Sequence, residues 1–270
     1  MEILSLQFVQ FALLSAFLVS ICGGIVGSII VSNKTVFLSG GVAHSAFGGV
    51  GLALYFGFNV MLGAAITSIL MSLLLLYFII HKKKNIDSFI AAAWAFGMAL
   101  GVILIDITPG YGIDLMSYLF GSILAVSKID IIIIAVFDVL LIFFICLFYR
   151  EILGILYDET FCKLKNININ IFLFFIYIFV SLGIVMSMNI AGLILVLAIL
   201  SIPAYIASMF VNSLRAMMIL SMILSFLFIC VGFFVSYYYD LSIGACVVMS
   251  AIFGMIFSSI LKIILRKYNG

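Results

Sequence analysis

Long apolar segments with almost no charged residues follow one another along this chain. They lie near residues 6–31, 36–57, 60–80, 88–107, 127–149, 169–188, 190–208, 216–237 and 242–264. Each is long enough to cross the hydrocarbon core of a bilayer, roughly 30 Å thick, as an α-helix. A water-soluble fold is excluded, because 67% of the residues are hydrophobic and only 8% are charged. The sequence therefore predicts an all-α protein, a polytopic transmembrane helical bundle.

The number of spans is eight or nine. Very short turns separate several neighbouring segments, so two of them would merge if they form one broken helix. No soluble domain, linker or convincing internal repeat interrupts the pattern. We therefore expect residues 1–270 to form a single transmembrane domain.

The basic residues predict the direction of the spans, because Lys and Arg near span ends favour the cytoplasmic side. The basic run 81–84 is placed inside. Other basic residues that then also fall inside are Lys34, Arg150, Lys163, Lys165, Arg215, Lys262, Arg266 and Lys267. Only Lys128 falls outside or near the outer interface. The N-terminus is therefore outside and the C-terminus inside, in a multi-pass protein of the inner or plasma membrane.

Several function classes lack their signatures in this sequence. It contains no Walker A pattern, no H-E-x-x-H and no G-x-S-x-G, so we expect no enzyme, no nucleotide hydrolysis by this chain and no permanently bound cofactor. The twelve Lys and Arg residues are scattered between spans, which argues against nucleic-acid binding. The five cysteines form no C-x-x-C pair, and packing is the expected role for the four that lie in apolar runs.

One histidine lies among glycines in the second apolar segment. At 100° per residue, Gly40, His44, Gly48 and Gly51 fall within about 80° of one another on a helix. Such a face lets a neighbouring helix or an ion approach the backbone closely. His44 either hydrogen-bonds a neighbouring helix or binds a transition-metal ion through a ring nitrogen.

Two carboxylates are candidate companions of His44. Asp106 lies near the outer end of the fourth span, and Asp138 lies in the middle of the fifth. A carboxylate within a membrane must face a partner or water, which makes each a candidate for the path of a transported ion. Helix capping and interfacial solvation are the alternative explanations.

Four stretches, which together span nearly the whole chain, carry a resemblance to a known family. They are "FLSGGVAHSAFGGVGLAL", "DLMSYLFGSILAVSKID", "LYDETFCKL" and "AGLILVLAILSIPAYIASMFVNSLRAM". In order and spacing they are similar to those of the zinc, manganese and iron ABC transporter permeases, the metal ABC-3 family. The resemblance implies that the single domain 1–270 is the permease subunit of an importer for a divalent transition metal.

The resemblance also implies a metal site on the second span. In that family an Asp commonly precedes the His by four residues, so that both lie on one helix face. Here the His is His44, and Gly40 stands at the acidic position. An oxygen ligand then comes from another span, or the site is a weak way-station for the ion.

A region for coupling to the ATPase is implied near the seventh span. By resemblance, residues 203–215 dock on the cytoplasmic ATPase. Pro203 is expected to break the span near its inner end, and a short helix would carry Ser208, Asn212 and Arg215. Without the resemblance, an ordinary loop with one positive-inside arginine explains the same residues.

The partners implied are a cytoplasmic ABC ATPase, an extracellular or periplasmic metal-binding protein that docks on outer segments such as 107–127, membrane lipid and a second copy of the chain. The alternative from another class is a self-sufficient secondary transporter or channel with His44, Asp106 and Asp138 as an ion relay. An intramembrane enzyme is a third class, but no nucleophile and base support it.

Overall fold

The computed structural model of this protein describes residues 7–81, 86–109 and 126–268. Within these ranges the regular secondary structure is entirely helical. The helices are α1 (Gln7–Ser32), α2 (Val36–Phe56), α3 (Val60–His81), α4 (Ile86–Asp106), α5 (Lys128–Leu147), α6 (Tyr149–Tyr157), α7 (Glu159–Leu164), α8 (Ile169–Ala191), α9 (Leu193–Phe210), α10 (Leu214–Tyr239) and α11 (Ile243–Tyr268). Most of the basic run 81–84, and most of the outer segment 107–127, lie outside the described residues.

The all-α prediction is confirmed. Nine of the described helices are long and apolar enough to cross a membrane, which favours the higher of the two predicted span counts. Every predicted segment end lies within four residues of the corresponding helix end. Apolar length therefore places the spans correctly, and the protein is a multi-pass membrane protein.

The described helices group into two compact units. The first unit contains α1, the beginning of α5, and α9 to α11. The second unit contains α2 to α4, the end of α5, and α6 to α8. The single permease domain expected from the sequence stays a prediction.

Helix α2 is the central helix of the second unit. It packs against both α3 and α4, and 14 of its 21 residues are buried. On the α3 side the contact is between glycines, because a Cβ on Gly63 would lie 2.5 Å from the Gly49 carbonyl oxygen. Backbones come this close in membrane helices only where side chains are absent.

The first unit uses the same device between α1 and its neighbours. Helix α1 packs against α9 and α10. A Cβ on Gly23 would lie 2.7 Å from the Ile199 side chain, and one on Gly27 would overlap the Leu200 carbonyl. The small-residue spacing at Gly23 and Gly27 thus marks a helix contact.

The connection between α5 and α8 carries the two short helices α6 and α7. Ile152 and Cys162 are fully buried in it, whereas Leu153 is exposed. Asp158 caps α7 by accepting a hydrogen bond from the Phe161 N–H at 3.0 Å. This bond, together with one from the Thr160 hydroxyl, lowers the pKa of the exposed Asp158 carboxyl.

A single residue separates α8 from α9. Gly192 has φ 83° and ψ 161°, a backbone conformation that is essentially restricted to glycine. A helical conformation at Gly192 would merge α8 and α9 into one helix and reduce the number of spans to eight. The junction depends on the absence of a side chain at this position.

We expect Gly192→Ala to lower the stability of the protein by about 1 to 3 kcal/mol, because a Cβ is strained in this backbone conformation. The measurement is the midpoint of thermal unfolding in detergent. Gly57→Asn is the matched control: Gly57 has φ 72° and ψ 31° with open space around it, and Asn tolerates that left-handed conformation. An unchanged midpoint for Gly192→Ala would contradict the geometry of the junction.

Candidate functional site

His44 lies near the middle of α2, among the glycines of that helix. Its side chain is half-buried, and its Nδ1 atom is buried and has no hydrogen-bond partner within the described residues. The Gly40 carbonyl, one turn earlier, is close enough to interact electrostatically with the ring but does not satisfy Nδ1. The expectation that His44 hydrogen-bonds a neighbouring helix therefore finds no support at Nδ1.

The His44 ring stacks on the indole of Trp94 from α4. The ring centroids are 4.9 Å apart, and the planes are inclined by 20°. The Trp94 Nε1–H donates a hydrogen bond to the Phe37 carbonyl oxygen at the start of α2, at 3.3 Å. Trp94 thus contacts α2 at two points. Its ring stacks on His44, and its Nε1–H bonds the backbone oxygen of Phe37.

Glycines let α2 and α4 come close enough for this stacking. A Cβ on Gly97 would lie 2.5 Å from the His44 carbonyl oxygen, and one on Gly48 would lie 2.9 Å from the Gly97 carbonyl oxygen. One turn further, a Cβ on Gly51 would lie 2.8 Å from the Gly101 carbonyl oxygen. All these contacts involve backbone atoms, which cannot move aside as a flexible side chain can.

Gly40 has no side chain because the indole occupies that space. A Cβ at this position would overlap the six-membered ring of Trp94, which it meets at Cζ2 and Cε2. The absence of a side chain at Gly40 therefore leaves room for an aromatic side chain from the neighbouring helix.

Asp106 lies away from His44. It is the exposed last residue of α4, nine residues after Gly97, which contacts the His44 backbone. Nine residues correspond to about 13 Å along a helix. These two predicted ligands do not meet within the second unit.

Asp138 is buried in α5, in the part that belongs to the first unit. Its side chain is 2% exposed, and neither carboxylate oxygen has a hydrogen-bond partner within the described residues. No cluster of three or more His, Cys, Asp or Glu side chains that could hold one metal ion occurs in the part of the chain that the structure describes. A metal role for His44, Asp106 and Asp138 stays a prediction.

The expected coupling region differs locally from the sequence prediction. The expectation that Pro203 breaks the seventh span is wrong, because α9 continues through it to Phe210. Neighbouring helices in a membrane can satisfy the backbone groups that a proline frees, so the helix survives. The expected separate short helix is also missing from the described residues 203–215, where an extended residue, Val211, ends α9 and Ser213 caps α10.

The three polar residues of this region nevertheless lie together along the chain on the surface. Ser208 is in the last turn of α9, Asn212 is in the link, and Arg215 is in the first turn of α10, and all three are exposed. The Ser208 hydroxyl donates to the Tyr205 carbonyl at 2.7 Å. These residues thus lie at the surface, at the link between two long helices and not on the predicted short helix.

Trp94 is not among the candidate site residues that the sequence predicts. It is the only tryptophan of the chain and stands three residues before Gly97, within "AAAWAFGMALG". A large aromatic residue one turn from a helix-packing glycine is a detectable signal. Its contact with His44 depends on the partner helix, and one sequence does not show which helix that is.

Comparisons with known proteins agree on one family. The model of a family described as the ABC 3 transport family matches residues 5–262. An uncharacterised membrane protein of Synechocystis is 40% identical over 93% of this chain and 89% of its own length. The manganese import system permease protein ScaB of Streptococcus parasanguinis is 32% identical over 93% of this chain and 89% of its own. The solved structure of PsaBC from Streptococcus pneumoniae in complex with Fab superposes with a TM-score of 0.83 at 28% identity, covering 94% of this chain and 91% of its own.

We expect Gly97→Ala to separate α2 from α4 and to lower stability by about 1 to 3 kcal/mol, the usual cost of overpacking. The new methyl group would meet the His44 and Ser45 backbones, 2.5 and 2.7 Å away. The check is the thermal unfolding midpoint, with Ala95→Leu as the control, since Ala95 is exposed on the same helix. Equal midpoints for the two variants would contradict a glycine-dependent contact.

Proposed function

Because the chain belongs to the ABC 3 transport family, we propose that it is the permease subunit of a binding-protein-dependent ABC importer for a divalent transition metal ion. Zinc, manganese and iron are the candidate ions. The permease itself performs no covalent chemistry, and a separate subunit hydrolyses ATP. The metal is its transported substrate and not a resident cofactor.

The observation that carries the metal assignment is the state of His44. An imidazole whose Nδ1 is buried and unpartnered within the described residues retains a nitrogen for an ion. Neutral imidazole is a ligand for zinc, iron and other transition metals. One imidazole holds an ion weakly, which suits a pathway, since conduction requires that the ion also leave.

The names of the relatives support the same substrate class. ScaB of Streptococcus parasanguinis is named for manganese import, and several Chlamydia relatives are named as probable metal transport system membrane proteins. The Chlamydia trachomatis protein is 30% identical over 96% of this chain. The relatives therefore favour a metal over other small substrates.

The proposed partners follow from this assignment. A cytoplasmic ABC ATPase supplies the energy, and an extracellular or periplasmic metal-binding protein delivers the ion to outer segments such as 107–127. Two copies of the permease form a homodimer with the pathway along their two-fold axis. Asp106, exposed at the end of α4, is a candidate for first contact with the ion, and Asp138 is a candidate for an internal polar station.

The ATPase contact is placed at residues 203–215. One apolar cluster joins the end of α9 to the start of α10, and its members are Ala204, Ala207 and Met217 with Val31, Val211 and Leu220 around them. This packing holds the exposed Ser208, Asn212 and Arg215 on a firm base. Movement of the ATPase would then be passed on as rigid-body movement of helices, with Pro203 in the transmitting helix.

A self-sufficient secondary transporter with His44, Asp106 and Asp138 as a relay is the alternative. Membership of an ABC transport family argues against it. So does the separation of Asp106 from the contact between His44 and α4. Metal uptake with and without the ATPase distinguishes an ABC importer from a secondary transporter.

We expect metal uptake only when the chain is expressed together with its ATPase and its metal-binding protein, and we expect His44→Ala to reduce that uptake at least about tenfold, because the removed ring is the proposed ligand. The assay measures accumulation of zinc, manganese and iron in a strain that lacks its own high-affinity importers. His81→Ala is the matched control. His81 is the only other histidine and lies exposed at the end of α3.

Two results of this assay would contradict the proposal. Uptake by the chain without the ATPase would support a secondary transporter. Normal uptake by His44→Ala at normal expression would remove His44 from the pathway.

We also expect Arg215→Glu to weaken ATPase binding by about tenfold or more while leaving delivery of metal to the outer face unchanged, because charge reversal at an interface opposes docking. The measurement is co-purification of the ATPase with the permease. Lys165→Glu, another exposed basic residue outside this region, is the control. Equal co-purification by both variants would place the coupling surface elsewhere.

A further inference from the structure

We propose that Trp94 is the positioning residue of His44 and that the Gly40–Trp94 pair sets the metal preference of this permease, favouring zinc over manganese. This inference rests on the proposed function and adds to it the side chains that select the ion. It assigns a role to the only tryptophan of the chain, which lies in a helix other than that of His44.

Trp94 is fixed in place by its contacts with α2. Its Nε1–H bonds the Phe37 carbonyl, and Gly40 leaves the space that the six-membered ring fills. The backbone contact of Gly97 with His44 holds α4 against α2 one turn from Trp94. A ring that is bonded at one edge and packed on a backbone presents the same face to its neighbour.

The fixed indole of Trp94 orients the imidazole of His44. The ring centroids of His44 and Trp94 are 4.9 Å apart with nearly parallel planes, and no other aromatic or ionic partner of His44 is found among the described residues. In metal sites a histidine is usually oriented by a hydrogen bond to its second nitrogen. Here the stacked indole orients the ring, and Nδ1, which has no partner within the described residues, is the nitrogen left for the ion.

A cavity lies beside the indole on which the imidazole stacks. Trp94 also lines a cavity of about 270 Å³ together with Phe37, Asp87, Ile90 and Ala91. Removal of the indole would enlarge this cavity and take away the ring on which the imidazole stacks. The indole therefore both orients the imidazole and forms part of the wall of this cavity.

The metal preference follows from the ligand that is absent. A carboxylate at position 40 would lie one helical turn before His44, on the same face, and carboxylate oxygen suits manganese. The indole occupies that place, so the α2–α4 contact offers an imidazole nitrogen without a carboxylate from position 40. Imidazole suits zinc better than manganese, in accord with the general order of divalent metal affinities.

The uniqueness of Trp94 supplies a direct probe, because tryptophan emission of the permease reports on this site alone. We expect Zn²⁺, added to the purified permease in detergent micelles, to change the emission in a saturable manner. We expect Mn²⁺ to require at least about tenfold higher concentration, as the affinity order predicts. The Zn²⁺ response should vanish in His44→Ala and persist in His81→Ala.

Substitutions separate positioning from mere packing. Trp94→Ala should reduce His44-dependent zinc uptake by roughly 10- to 100-fold, the range for losing a group that orients a metal-ligating histidine. Trp94→Phe, which keeps a ring to stack on, should restore most of it. If Trp94→Ala and Trp94→Phe transport zinc equally, the positioning role is overturned.

A double substitution tests the selectivity. Gly40→Asp alone should lose uptake, because the new side chain overlaps the indole. Gly40→Asp combined with Trp94→Ala removes the overlap and places a carboxylate one turn before His44, so its ratio of manganese to zinc uptake should exceed that of Trp94→Ala alone. Thermal unfolding of each variant in detergent identifies any that fail to fold, and the emission titration of the unmodified chain tests the preference without them.

The outcomes distinguish the two proposals. If the unmodified chain with its ATPase and its metal-binding protein takes up no metal, the proposed function fails. If His44-dependent uptake is present but Mn²⁺ acts as tightly as Zn²⁺, or the Zn²⁺ response survives in His44→Ala, only the present inference is overturned.

Discussion

The close backbone contact between α2 and α4 is the constraint on which the candidate site depends. Gly48 and Gly51 on one helix meet Gly97 and Gly101 on the other, so that carbonyl oxygens lie where side chains would otherwise stand. Lipid offers no hydrophobic driving force between apolar helices, so close van der Waals packing has to hold them together. The stacking of His44 on a residue of α4 is possible only at this short separation.

Polar groups inside the bundle follow a common rule, from which the candidate functional groups depart. Many buried serines donate to a carbonyl of their own helix, as Ser28 does to Gly24 at 2.7 Å. This arrangement satisfies the hydroxyl where water is absent. The buried atoms that find no partner within the described residues belong to His44, Asp138, Ser221 and Ser225. An unsatisfied buried polar group is costly, so it needs a reason such as an ion or a proton that arrives only during transport.

Glycine and tryptophan at the α2–α4 contact have to be understood as one unit. Gly40 by itself explains little, whereas Gly40 together with Trp94 forms a steric pair, since the indole fills the space that a side chain at position 40 would need. The same holds for the region near Pro203. The proline alone suggests a helix end, but the packed environment of α9 keeps the helix intact as far as Phe210. In both places the neighbouring helix decides what the residue does.

The sequence by itself determined the membrane architecture, because apolar length and scarcity of charge act locally along each helix and need no knowledge of the partner helices. It also placed His44 on a glycine face and located the exposed residues Ser208, Asn212 and Arg215. Tertiary structure alone decided that α4 is the partner of that face, that Trp94 covers His44, and that Asp106 lies away from it. These depend on which helices pack and at what rotation. In a bilayer, small residues permit many such pairings, and only the complete set of packed side chains selects one.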